Sequence, residues 1–126
     1  MSAIALVEDY LKGRNDPLKA VKESLDLCER DRNGSFLNLD RKGAIAAAEL
    51  SQKRYSQGNP IGLWDGVPIG VKDNLALAGL PWTNGMLAYQ DRMADFDASC
   101  LSDLKAFGAV IIGKSHLHEA AMGTSS

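Results

Sequence analysis

Three segments in the first half of the chain carry hydrophobic residues at the spacing of an amphipathic helix. The stripes of the first two segments are formed by Leu6, Val7, Tyr10 and Leu11, and by Leu18, Val21, Leu25 and Cys28. Ser2 and Asp16 precede these stripes as capping residues. A third helix is expected to open at Asp40, directly after a short strand over residues 36–39. The pattern therefore predicts a helical region over residues 1–57.

The second half of the chain changes to short apolar runs separated by turns, and it holds nine of the 12 glycines. Residues 67–72 and 109–113 predict two buried strands, because continuous apolar runs are typical of strands covered on both faces. Residues 98–107 predict a helix with Asp97 as its capping residue. Since a helix followed by a strand recurs, the fold class is α/β. We expect part of a mixed sheet, covered by helices, over residues 58–126.

Composition narrows the classes of partner and compartment. The chain has 126 residues, with 14 basic and 16 acidic side chains and a net charge of −2. This balance predicts no direct nucleic-acid partner, and no apolar run approaches the roughly 20 residues of a membrane helix. Cys28 and Cys100 alone make neither a disulfide framework nor a zinc site. We expect a cytoplasmic protein with no membrane partner, no metal and no cofactor.

Two local patterns invite a ligand-binding interpretation. Residues 108–115 match the phosphate-loop pattern G-x-x-x-x-G-K-[ST], but the four middle residues are strand formers and a helix precedes them. A phosphate loop needs the opposite order, with the strand first. His116 and His118 could bind a metal, but the chain has no further histidine. For both patterns we therefore favour a role in the structure of the protein over the binding of a ligand.

Lys72 is a stronger candidate for chemistry. It ends the apolar run of residues 67–71 and is followed at once by Asp73 and Asn74. It could extend into solvent or pair with Asp73. Alternatively, desolvation could prepare its amine to accept a proton near neutral pH. The local sequence leaves both interpretations open.

A longer set of motifs resembles the amidase signature family. Its opening block is matched by LWDGVPIGVKDN over residues 63–74. Further blocks follow in the family's order: Gly79, Thr83-Asn84-Gly85, Asp97 with Ala98, Leu101 and Leu104, residues 108–114, and Glu119 with residues 121–123. Several blocks in register are specific, whereas residues 1–57 resemble the family only loosely. Trp82, Met86, Ala94, His118 and Ala120 depart from residues that are common in the family.

The resemblance implies a Ser–cis-Ser–Lys hydrolase that cleaves small-molecule amides through an acyl-enzyme. By position, Lys72 is the catalytic lysine, and Met122, Gly123 and Thr124 resemble the loop that lines the acyl pocket. The family's two catalytic serines lie downstream of residue 126. The chain is therefore expected to be the N-terminal part of such an enzyme and inactive alone.

Alternatives remain open at this point. One is the glutaminase component (the A component) of a tRNA-dependent amidotransferase, which hydrolyses the amide of glutamine. His118, where those proteins often have Asp, is more similar to the general amidases. Another is a non-catalytic remnant or interaction module. A homodimer, or a separate downstream C-terminal half, is the protein partner to consider.

Overall fold

The computed structural model describes residues 2–123, and within them helices and strands follow the predicted order. The helices are α1 (Ala3–Leu11), α2 (Pro17–Glu29), α3 (Arg41–Ser56) and α4 (Ser99–Ala106). The strands are β1 (Phe36–Leu39), β2 (Pro68–Lys72) and β3 (Val110–Ser115). Two short 3-10 helices, Leu87–Tyr89 and Glu119–Ala121, lie in loops where the hydrophobic pattern predicted no element.

The first three helices begin at side-chain caps. The Ser2 hydroxyl accepts a hydrogen bond from the Ala5 N–H, at 3.2 Å. The carboxylate of Asp16 caps α2 through the Lys19 N–H, at 2.8 Å, and Asp40 caps α3 in the same way. Each cap satisfies an N–H that has no partner inside its helix. The three predicted helix starts are thus confirmed.

The predicted cap of α4 is wrong. Ala98 occupies the N-cap position, and no side chain caps this helix. The Asp97 carboxylate instead accepts hydrogen bonds from the Ala78 N–H, at 2.8 Å, and from the Lys105 ammonium, at 2.6 Å. Both partners are brought to Asp97 by the fold, so residues near Asp97 in the sequence could not reveal them.

The three strands form a mixed sheet in the order β1-β3-β2. β1 runs antiparallel to β3, and β2 runs parallel to it, with Lys72 opposite Ser115. The central strand is buried from Val110 to Lys114. Because β2 and β3 are parallel, their carboxyl ends meet at one edge of the sheet.

Hydrophobic side chains from helices, and on one face also from the loop after β2, cover both faces of this sheet. On one face, α2 and α3 contribute Val21, Leu25, Ala44 and Ala48 against Val110 and Ile112. On the other face, Leu77 and Leu101 pack against Val71 and Ile111. The expected α/β class, with helices covering a mixed sheet, is confirmed.

The glycines of the phosphate-loop pattern serve packing. Gly108 follows α4 with a φ of +88°, and a Cβ there would lie 2.7 Å from an oxygen of Asp65. Gly113 lies inside β3, where a Cβ would lie 2.2 Å from the backbone oxygen of Asn38. Residues 110–115 form a strand and not a phosphate-binding loop, which supports the structural interpretation of this pattern.

Gly113→Ala is expected to lower the free energy of unfolding by roughly 1–3 kcal/mol, because the added methyl would force β1 away from β3. Urea denaturation of the chain measures the change. Gly62→Ala is the matched control, since its Cβ would meet no atom closer than 3.3 Å and should cost less. Equal stability of Gly113→Ala and the unaltered chain would contradict the packing role.

Candidate functional site

The candidate site lies where the carboxyl ends of β2 and β3 meet. The Asp73 N–H donates to the Ser115 carbonyl, at 3.2 Å, and continues the pairing of the two strands. The Asp73 carbonyl accepts from the Asn84 N–H, at 3.3 Å, and the Asn84 carbonyl accepts from the Ala120 N–H, at 2.9 Å. Backbone bonds therefore bring the turn at residues 83–85 and the loop over residues 116–123 to this edge. The carboxyl end of parallel strands is a common place for ligands.

Lys72 is the last residue of β2 and is exposed, whereas its neighbours Val71 and Asp73 are buried. Its carbonyl accepts a hydrogen bond from the Leu75 N–H, at 3.0 Å, which fixes its backbone. Within residues 2–123, the Lys72 ammonium has no hydrogen bond or ion pair. The pairing with Asp73 considered above is therefore wrong, and the described residues alone do not desolvate the amine.

Asp73 instead forms a buried ion pair with Lys114 of β3. Both side chains are 0% exposed, and the Lys114 Nζ lies 2.9 Å from Oδ1 of Asp73. The contact is ionic and lacks the geometry of a directed hydrogen bond. The other carboxylate oxygen, Oδ2, accepts from the N–H and the hydroxyl of Thr83, at 2.9 and 2.5 Å. The motifs did not reveal this pair. Lys114 directly follows the apolar run of β3, and this position could have indicated that its side chain is buried.

The remaining predicted site residues lie in the loop beyond β3. Met122 is 88% exposed, and Gly123 is exposed beside the His118 ring, which lies 2.2 Å from the position of a Cβ on Gly123. Thr124 lies outside the described residues. Ala120 and Ala121 adopt positive φ angles of 51° and 60°. The structure thus brings the described part of this loop to the edge where Lys72 lies.

A second buried carboxylate, Asp65, lies at the opposite end of β2. Its oxygens accept from the Ser51 hydroxyl at 2.6 Å, from the Arg54 guanidinium at 2.5 and 2.9 Å, and from the Ile61 N–H at 3.0 Å. Burial alone would raise the pKa of Asp65, but the bonds from Arg54, Ser51 and Ile61 hold this pKa below its ordinary value. The next residue, Gly66, accepts from the Tyr10 hydroxyl, at 3.0 Å. This cluster joins α1 and α3 to the start of β2 and lies away from Lys72.

Comparison with known proteins identifies the family. The sequence model of the family named Amidase matches residues 19–126. The chain belongs to the amidase family. The resemblance found in the motifs of residues 63–123 is thereby confirmed, and the match begins earlier, within α2.

Two relatives illustrate the range of the family. The chain is 34% identical to the A component of a glutamyl-tRNA(Gln) amidotransferase from Salinispora tropica, over 99% of this chain and 26% of the relative. It is 30% identical to a fatty acid amide hydrolase of Arabidopsis thaliana, over 92% of this chain and 20% of the relative. The chain therefore spans about a fifth to a quarter of the length of these two relatives.

Solved structures of the family share the fold. One amidase crystal structure superposes with a TM-score of 0.87 at 25% identity, covering 98% of this chain and 28% of that chain. Within residues 2–123, no helix is long and apolar enough to cross a membrane. The same residues contain no group of three or more His, Cys, Asp or Glu side chains that could hold a metal ion.

Proposed function

We propose that this chain is part of an amide hydrolase in which Lys72 is the catalytic base. The observation that carries the proposal is the position of Lys72, at the exposed carboxyl end of β2 beside the loop over residues 116–123. An exposed amine at the end of a rigid strand is well placed to meet groups that approach this edge of the sheet. Membership of the amidase family supplies the class of reaction, which is cleavage of a carboxylic amide.

In the proposed reaction, a serine hydroxyl attacks the amide carbonyl carbon, so that a C–O bond forms and the C–N bond breaks. The hydroxyl needs a base because a neutral serine is a weak nucleophile. A second serine, in a cis peptide, passes the proton to the Lys72 amine, and the resulting ammonium returns a proton to the leaving nitrogen. Water then hydrolyses the acyl-enzyme. Ser–Lys sets are recognised variants of the serine triad.

The described residues supply one member of this triad. In the family pattern the two serines follow the segment matched here, so Lys72 needs a downstream C-terminal part of the enzyme. Met122, Gly123 and Thr124 are proposed to line the acyl pocket, on the loop held against Asn84. A cytoplasmic setting, a small-molecule amide as substrate and a homodimeric assembly complete the proposal.

The test is an assay of the complete reading frame that encodes this chain, beside the 126-residue chain alone. Ammonia or amine release from simple aliphatic, aryl and peptide C-terminal amides is measured. We expect hydrolysis by the complete product and none by the chain alone, since Lys72 without the two catalytic serines has no nucleophile to activate. Robust hydrolysis by the chain alone, or no hydrolysis by the complete product on any amide, refutes the proposal and favours a non-catalytic module.

A second candidate is the component of a tRNA-dependent amidotransferase that hydrolyses glutamine. The 34% identity to a protein of that name favours it. Glutamine in the same assay separates the two candidates. Glutaminase activity without hydrolysis of simple amides supports the second candidate, and the reverse supports a general amidase.

A further inference from the structure

The proposed chemistry assigns no role to the most completely buried charged side chains near Lys72. The Lys114 ammonium donates to the carbonyls of Leu75 and Pro81, at 2.6 and 3.1 Å, and lies 2.9 Å from Asp73. The ammonium thus donates to two carbonyls and makes an ionic contact with one carboxylate, and these three groups lie within residues 73–75 and at Pro81. Such an arrangement specifies geometry as well as neutralising charge.

Packing alone gives no reason for this ion pair. Moving two charges out of water carries a penalty that their attraction only partly offsets, and apolar residues of similar volume often serve stability equally well. The pair does one thing that an apolar pair cannot do. It binds the end of β3 through Lys114, the end of β2 through Asp73, and the segment at residues 81–83 through Pro81 and Thr83.

The effect of this pair on Lys72 follows from the strand geometry. Successive side chains in a strand point to opposite faces, so the buried Val71 places the Lys72 side chain on the exposed side, and a fixed Asp73 holds the chain directly after it. The Asp73 N–H and carbonyl are also bonded, to Ser115 and Asn84. The residue after Lys72 is therefore held at its backbone and at both carboxylate oxygens.

We propose that the buried Asp73–Lys114 ion pair positions the Lys72 amine for catalysis by locking the ends of β2 and β3 to the segment at residues 81–83. The proposal rests on the proposed function, in which Lys72 is the base. Asp73 and Lys114 are positioning residues, because neither is exposed to a substrate. Thr83 takes part in this positioning because it donates two hydrogen bonds to Asp73.

The test is a mutant cycle on the complete reading frame. The pair variant Asp73→Asn/Lys114→Met removes both charges together, and the asparagine oxygen can still accept from Thr83. Kinetics are measured for the pair variant, for Lys72→Ala, and for the combination, with melting temperatures of all three. We expect the pair variant to lower kcat at least about tenfold with little change in KM, since a misplacement of about 1 Å can cost roughly 100-fold.

The decisive comparison is the effect of the pair variant when Lys72 is already alanine. A positioning role predicts a change in kcat below about twofold there, because the group to be positioned is gone. An equal loss in both backgrounds means a merely structural role and overturns the proposal, as does an unchanged kcat in the pair variant. Undiminished activity of Lys72→Ala overturns the proposed function first, and the two failures are thus distinguishable.

Thr83→Val keeps the test decisive if the pair variant does not fold. It removes the hydroxyl bond to Asp73 and the bond that the same hydroxyl accepts from the Gly85 N–H, at 3.2 Å, and it keeps the bond from the Thr83 N–H to Asp73. We expect a smaller fall in kcat, roughly threefold to tenfold, that again disappears in the Lys72→Ala background. A fall of the same size in both backgrounds, or no fall in either, overturns the positioning role.

Discussion

Lys72→Ala is expected to lower kcat for amide hydrolysis by the complete reading frame about 10²–10⁴-fold, the range that a positioned general base contributes. The fold should survive, because Lys72 is exposed and its ammonium has no partner within residues 2–123. The loss is therefore expected in kcat, with an unchanged melting temperature. Steady-state kinetics and thermal denaturation of the same preparation check both parts.

Two control variants accompany Lys72→Ala: one tests whether Lys72 acts as a base or through its charge, and the other tests the loss of an exposed lysine elsewhere. Lys72→Arg keeps a positive charge but cannot act as a base, since the guanidinium does not lose its proton in proteins. It should be nearly as inactive as Lys72→Ala. Lys22→Ala removes an exposed lysine from α2 and should keep full activity. Substantial activity in Lys72→Arg would contradict a base and favour a purely electrostatic role.

The parts of the fold that could be predicted are those fixed by neighbours in the sequence. Asp16 and Asp40 cap helices because each accepts from an N–H three residues later, and such spacing is visible in any sequence. Asp97 also precedes a helix, but its carboxylate accepts hydrogen bonds from the Ala78 N–H and the Lys105 ammonium instead. A carboxylate before a helix can accept from the helix N–H or from donors that the tertiary fold brings close. The choice depends on the tertiary fold, which no local pattern encodes.

The candidate site shows the same division. Lys72 was identified from its motif, and the structure places it at the end of a strand as that motif implies. Lys114 was noticed only as part of a phosphate-loop pattern. Its partners are 33 to 41 residues away in sequence, at Pro81, Leu75 and Asp73. Their approach requires the parallel pairing of β2 with β3, which hydrophobic periodicity cannot specify.

The same long-range pairing explains why the first half of the chain bears on the site. β1 comes from the helical region, but it pairs with β3 and places that strand at the centre of the sheet. Lys114 is buried because a strand lies on each side of it and because the loop after β2 contacts its ammonium. The position of Lys72 therefore depends on residues that carry no chemistry themselves.

Asp65→Ala is expected to lower the free energy of unfolding by about 3 kcal/mol, at the lower end of the cost of breaking a buried ion pair. Asp65 is 0% exposed, and its removal would leave four donor groups without their acceptor, two of them on Arg54 and one each on Ser51 and Ile61. The lower end applies because Arg54 is 26% exposed and can be partly hydrated. Urea denaturation at pH 7 measures the loss, and a melting temperature lower by roughly 10 °C should accompany it.

The dependence of this loss on pH tests its electrostatic origin. Because the pKa of Asp65 in the fold is below its ordinary value of 3.8, the carboxylate stabilises the folded state above that value. The stabilisation is lost as the pH falls through the lowered pKa, since the proton then binds in the folded state also. The difference in unfolding free energy between the unaltered chain and Asp65→Ala should thus be full at pH 7 and shrink below about pH 4.

The control is Asp103→Ala, which removes an exposed carboxylate from α4 and should change the free energy of unfolding by less than about 0.5 kcal/mol at either pH. A difference for Asp65→Ala that stays constant down to about pH 2 would mean that the carboxylate acts through packing and not through its charge.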